Sequence, residues 1–253
     1  KNFVLVVILA FLATLLMGMI LIPWLKKLKF RQTEREDGPK SHLSKTGTPV
    51  MGGFLFLIPL IAISLILTRG NRDFVFFAVL STIGFGLIGF LDDYIGVAKR
   101  RSLGLRAYQK IIGQLVLSVV MAYYAYTNEY IGSSVILPFV DKEWDLGIFY
   151  IPVTVFIIIG TVNSVNLTDG LDGLCSGVTL IVSATLNIIL ISVCQMAQSQ
   201  NVAYLAENYG ELLVFSAALT GGCLGFLRYN THPAQIFMGD TGSLALGGAV
   251  AAL

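Results

Sequence analysis

The stretch Asn2–Leu25, NFVLVVILAFLATLLMGMILIPWL, decides what kind of chain this is. Its 24 residues carry no charge, and a helix that crosses a bilayer needs about 20 mostly apolar residues. A secretory leader has an apolar core of only roughly 7–15 residues, so the stretch reads as a true first span. The rest of the chain repeats the pattern. Charge-free apolar stretches recur at about 50–68, 74–91, 111–127, 147–163, 177–195, 211–227 and from 243 onward, which with 3–25 makes seven spans and the start of an eighth.

Composition points the same way. Of 253 residues, 55% are hydrophobic and 13% charged, against about 25% charged in a soluble domain. The 28 aromatic residues and the scarcity of charge exclude a disordered chain. A net charge of +2 leaves no basic surplus for nucleic acid. Cys175, Cys194 and Cys223 lack CxxC pairing and stand in apolar or glycine-rich surroundings, so they read as reduced packing residues. The expectation is an all-α polytopic membrane protein with at least eight transmembrane helices, forming one domain over 1–253.

The charges then orient the chain. All 32 (17 basic, 15 acidic) fall between the stretches or at their edges, as expected when a charge at mid-membrane costs at least about 2.5 kcal/mol. The alternate segments 26–49, 92–110 and 228–242 hold thirteen lysines and arginines, whereas the other side holds Lys1, Arg69, Arg72 and Lys142. By the positive-inside rule the thirteen-rich side is cytoplasmic and the N-terminus faces outward. Segment 132–148 (GSSVILPFVDKEWDLGI) fits a small exterior hairpin.

Sorted by side, the unusual polar clusters all fall on the cytoplasmic face: GPKSHLSKTGTPVMGG (38–53), FLDDYIG (90–96), NSVNLTDGLDGL (163–174) and YNTHPAQIFMGDTGS (229–243). Asp92 and Asp93 are expected to end the third span, where two adjacent carboxylates oppose the helix dipole and repel each other unless a cation or substrate compensates; the plain alternative is a solvated helix end. Asp169 and Asp172 would share one face if they begin the sixth span, with Asn163 and Asn166 on the preceding turn; the alternative is an Asp cap with a glycine turn. Asp240, between glycines, suits a hard cation that takes one or two carboxylates plus phosphate oxygens, or else simply caps the eighth helix. Lys45 and Thr48, followed by Gly52 and Gly53, are placed to meet phosphate, although no P-loop pattern is present. The basic run Lys26–Arg35 reads as a topology and headgroup signal, and His42 and His232 as structural or solvated.

Three of these clusters, Asp92-Asp93-Tyr94, Asn166 to Leu174 and Phe237 to Leu244, match in order the hallmark motifs of the polyprenyl-phosphate N-acetylhexosamine-1-phosphate transferases, and the chain resembles that family over nearly its whole length. Gly38 to Gly53 resembles the muramoyl-pentapeptide branch. The resemblance implies a ten-helix, usually dimeric, Mg²⁺-dependent enzyme of the bacterial cytoplasmic membrane. It would move phospho-MurNAc-pentapeptide from UDP-MurNAc-pentapeptide to undecaprenyl phosphate, giving lipid I and UMP; the alternative is another UDP-hexosamine donor such as UDP-GlcNAc. By matching position Asp240 is implied as the Mg²⁺ ligand, and Asp92 and Asp93 as the acidic pair near lipid phosphate and metal. Asn166, Asp169, Gly170, Leu171, Asp172, Asn230 and Phe237 are implied at the uridine pocket, with Phe237 as the stacking ring. Lys45, Thr48 and Lys110 would contact the diphosphate. The family's His-rich loop has no counterpart before Leu253, so the resemblance also implies that this chain is C-terminally incomplete. A transporter is disfavoured, because its ionisable residues would lie inside the spans.

Overall fold

The computed structural model describes residues 2–27, 48–99, 104–137 and 142–253. Within them lie eight α-helices: α1 (Phe3–Lys27), α2 (Phe54–Leu67), α3 (Asp73–Lys99), α4 (Ala107–Thr127), α5 (Tyr150–Thr168), α6 (Leu174–Ser199), α7 (Ala203–Asn230) and α8 (Gly239–Ala252). Each overlaps one of the uncharged stretches. Helices α1, α3, α6 and α7, and α5 with the turn before it, are long and apolar enough to cross a membrane. Helices α2 and α8 have only 14 residues each within the described parts, about 21 Å at 1.5 Å per residue. The segment expected as an exterior hairpin contains an antiparallel strand pair, β1 (Ser134–Leu137) with β2 (Lys142–Asp145). At its base the Ser133 hydroxyl and the Gly147 N–H donate to Asp145 and hold its carboxyl below the usual carboxylate range.

Helix ends differ from the sequence expectation in an informative way. Asp92 and Asp93 do not end α3, which runs on to Lys99. The residues after them, Tyr94 to Ala98, include no proline to stop a helix. What the acids mark is depth. From Asp73 to Asp92 the helix rises about 29 Å, which matches the thickness of a bilayer's hydrocarbon layer. Helix α7 likewise starts earlier than the uncharged stretch, which puts Glu211 well inside it and buried. Its carboxylate is compensated by the Gly70 N–H at 2.9 Å and the Arg69 N–H at 3.4 Å.

Helix α7 forms the centre, packed on α1, α2, α3 and α6, and α8 lies between α3 and α5. In lipid, helices gain little from hydrophobic association and pack through small residues. Gly221 of α7 shows why: a Cβ there would land on the Val7 carbonyl of α1. Between α6 and α7 the Asn187 amide donates to Thr220 at 2.9 Å, and the Thr220 hydroxyl meets Ser183 at 2.9 Å. The three cysteines are free, with Cys175 and Cys223 buried. This packing brings the C-terminal ends of α3, α5 and α7 and the N-terminal ends of α4, α6 and α8 to one end of the bundle. The hairpin and the Asp73–Tyr204 hydrogen bond (2.8 Å) belong to the other.

Candidate active site

Asp92, Asp93 and Asp240 offer carboxylate oxygens that all lie within 4.8 Å of one another. Two come from α3 and one from the first turn of α8, helices that touch closely because Gly89 has no side chain: a Cβ on it would overlap the Asp240 carbonyl. Asp93 Oδ1 accepts from the Asp240 N–H at 3.1 Å, while its Oδ2 accepts from the Thr241 N–H at 2.9 Å and the Thr241 hydroxyl at 2.6 Å. Asp92 Oδ1 accepts from the Leu105 N–H at 2.9 Å. Like charges so close raise one another's free energy, and a small cluster made only of oxygen donors suits a hard cation such as Mg²⁺.

Lys110, in the first turn of α4, forms an ion pair with Asp240. Asn166, near the end of α5, donates to Asp240 Oδ1 at 2.8 Å and to the Ser243 hydroxyl at 2.8 Å, and accepts from Lys110 Nζ at 3.5 Å. Four helices therefore converge on one carboxylate. One turn deeper, Asn163 donates to the Gln114 side chain at 2.6 Å and ties α5 to α4.

Asp169 and Asp172 do not share a helix face. Helix α5 ends at Thr168 with Asp169 as its cap, and α6 begins only at Leu174, after Gly173 at φ 77°. Both acids sit in the intervening turn, with Gly170 and Leu171 exposed. Asp172 Oδ2 meets His232 Nδ1 at 3.0 Å and accepts from the Ala234 N–H at 3.3 Å. Asn230 is buried: its Oδ1 accepts from the Gly173 N–H at 3.0 Å and its amide donates to the Ile236 carbonyl at 3.0 Å. It pins the acidic turn to the segment that leads into Phe237, which is half-buried.

Lys45 lies outside the described residues. Thr48 is half-buried at the start of a segment that pairs with the Phe237 region: Phe237 N–H donates to Pro49 (2.9 Å), Gly52 N–H to Phe237 (2.8 Å) and Gly53 N–H to Met238 (3.0 Å). The N–H groups of Gly52 and Gly53 are thus committed to carbonyls and are not a phosphate cradle. These glycines serve backbone approach, since a Cβ on Gly53 would meet Gly242.

Thr241, Ser243, Leu105 and Gln114 belong to this site and were not legible as such. Thr241 and Ser243 stand in the quoted FMGDTGS segment, so their neighbourhood was visible, whereas their site partners Asp93 and Asn166 lie 148 and 77 residues away in sequence. Leu105 contributes only its backbone N–H, which no side-chain pattern reveals. His232, expected to be structural or solvated, is 83% exposed and yet holds Asp172.

One end of this helical membrane bundle therefore gathers three carboxylates, a lysine and amide side chains, chemistry suited to a hard cation and to phosphate oxygens. Residues 75–253 match the glycosyl transferase family 4. The chain is 50% identical over 251 residues to "Phospho-N-acetylmuramoyl-pentapeptide-transferase" of Thermoanaerobacter sp. (strain X514), a match covering 99% of this chain and 74% of the relative. Proteins of the same name in Clostridium kluyveri (strain ATCC 8527) and Clostridioides difficile (strain 630) are 48% and 49% identical, over 98% and 97% of this chain and 74% and 72% of theirs. The chain belongs to glycosyl transferase family 4 and, within it, to the phospho-N-acetylmuramoyl-pentapeptide-transferases.

Proposed function

We propose that the end of the bundle holding Asp92, Asp93 and Asp240 is the phosphoryl-transfer centre of a phospho-N-acetylmuramoyl-pentapeptide transferase. The reaction moves phospho-MurNAc-pentapeptide from its UDP-linked donor to undecaprenyl phosphate, forming lipid I and releasing UMP, in the bacterial cytoplasmic membrane. The observation that carries the placement is the convergence of α3, α4, α5 and α8 on the Asp240 carboxylate.

Asp240 and Asp92 are the residues that would hold Mg²⁺, and the ion, when bound, would offset charge on the phosphoryl oxygens and on the departing UMP. Lys110 adds a fixed positive charge beside Asp240 for the donor diphosphate. Asn166 orients Asp240 through its amide. The turn Asp169–Asp172, with Gly170 and Leu171 exposed and Asp172 held by His232, supplies polar groups and backbone for the uridine, with Phe237 as a ring for stacking. A phosphate monoester has a second pKa near 6, so the acceptor is largely dianionic at neutral pH, and the chain's main task is to orient and neutralise rather than to deprotonate.

The site faces the cytoplasm in this reading, supported by the thirteen basic residues on its side of the chain. In a Cys194→Ser background, cysteine at Glu129 should be labelled from outside intact cells and cysteine at Lys99 only after permeabilisation; the reverse pattern would overturn the orientation. A homodimer rests on the family resemblance and is read by native mass spectrometry. For the reaction, purified protein with Mg²⁺, undecaprenyl phosphate and UDP-MurNAc-pentapeptide should release UMP, and Asp240→Ala should release none. UMP from UDP-GlcNAc in the same assay, or full activity in Asp240→Ala, rejects the assignment.

A further inference from the structure

The three clustered carboxylates are not equivalent. Asp93 takes three donors, all from the first turn of α8: the N–H groups of Asp240 and Thr241 and the Thr241 hydroxyl. The first N–H groups of any helix lack intrahelical partners, and α8 has no cap of its own, because Met238 stands at the N-cap position and makes no side-chain cap bond. A carboxylate 147 residues earlier in the chain does that work. Gly239 makes the approach possible: its φ is 73°, and a Cβ on it would stand 2.6 Å from Asp93 Oδ2. Asp92 instead binds the Leu105 N–H through one oxygen, and Asp240 faces Lys110 and Asn166.

We infer that Asp93 is a positioning residue that caps α8 and, through the N–H groups of Asp240 and Thr241, fixes where the Asp240 carboxylate stands relative to Asp92. The inference deepens, and rests on, the reading of this cluster as the transfer centre. It divides the labour within the acidic pair: Asp92 and Asp240 act on cation and substrate, and Asp93 acts on the helix that carries Asp240. A charge-assisted bond from a carboxylate to helix N–H groups is among the stronger hydrogen bonds, and Asp93→Asn would turn one of its two oxygens into an N–H₂ group facing donors.

The test compares Asp92→Asn, Asp93→Asn, Thr241→Val and the double variant Asp93→Asn/Thr241→Val in the full chain. Melting is followed with EDTA present, Mn²⁺ affinity by electron paramagnetic resonance, and turnover by UMP release. With metal removed, Asp92→Asn relieves repulsion and should melt no lower than wild type, whereas Asp93→Asn should melt several degrees lower. Mn²⁺ should still bind Asp93→Asn at one site, weakened about 10-fold, the scale expected when the support of a ligand is lost. Thr241→Val, a milder lesion of the same contact, should weaken it in the same direction, and the double variant should be no worse than Asp93→Asn alone, since both remove one interaction. A melting point for Asp93→Asn at or above wild type, or additive effects in the double variant, would show that Asp93 does not act through the α8 cap and would overturn the inference. Unchanged Mn²⁺ affinity in Asp93→Asn would reduce it to a folding role and overturn it equally. If wild type itself neither binds Mn²⁺ nor releases UMP, the reading of the transfer centre fails, while melting without metal still decides whether Asp93 caps α8.

Discussion

Lys110 of α4 is ion-paired with Asp240 of α8, and the pair is mostly shielded, with side-chain exposures of 18% and 26%. Asn166 donates to the other oxygen of the same carboxylate at 2.8 Å. Among the described residues, this lysine is the cation paired with the cluster of three acids.

Lys110→Met should therefore destabilise the metal-free protein by about 1–3 kcal/mol, the cost of removing the counter-charge from a shielded carboxylate that keeps its Asn166 hydrogen bond. Melting temperature measured with EDTA and then with Mg²⁺ is the readout. The gain on adding Mg²⁺ should be larger in the variant than in wild type; an equal gain would mean that Lys110 does not share the charge-balancing role.

Asn166→Asp keeps the shape of the side chain and replaces the amide that donates to Asp240 and Ser243 with a fourth carboxylate. UMP release should fall about 10- to 100-fold, as when a supporting partner of a ligand is lost. Turnover within twofold of wild type at all Mg²⁺ concentrations would contradict the proposed orienting role.

Gly239→Ala meets two obstacles at once: a backbone at φ 73° and the Asp93 carboxylate 2.6 Å from the new methyl group. Holding a non-glycine residue in a sparsely populated region costs about 1–3 kcal/mol, and the methyl group also presses on the cap. We expect both a lower melting point and a loss of kcat. Retained kcat with only a lower melting point would separate the turn from the chemistry.

Gly221→Val is the complementary case, far from the acids. The added side chain would strike the Val7 carbonyl where α1 crosses α7, with an overpacking cost of about 1–3 kcal/mol. Thermal stability in detergent should drop, while KM for the UDP donor should stay at the wild-type value in the folded fraction. A changed KM would show that the α1–α7 contact reaches the site.

Much of this architecture was legible in one dimension because the bilayer imposes a length and a polarity on each helix. All eight uncharged stretches hold helices, and among the described residues the polar segments 48–53, 90–96, 163–174 and 229–243 share one end, as the side-sorting of charge led us to expect. Where helices stop was less legible. In α3, the uncharged run ends at Asp92 while the backbone hydrogen bonds continue to Lys99, and in the 169–173 turn glycine geometry outweighs an i, i+3 spacing.

Asp92 and Asp93 show the division most sharply. The sequence alone determined that two acids stand together at the end of a hydrophobic span, and that Asp240 stands in a glycine-flanked segment on the same side. Only the tertiary structure decided that the two acids meet different partners. Successive helix residues point about 100° apart, so Asp93 meets the N-terminus of α8 while Asp92 meets Leu105. The choice between them depends on where α8 and the start of α4 pack, and a linear pattern of residue types carries no record of that.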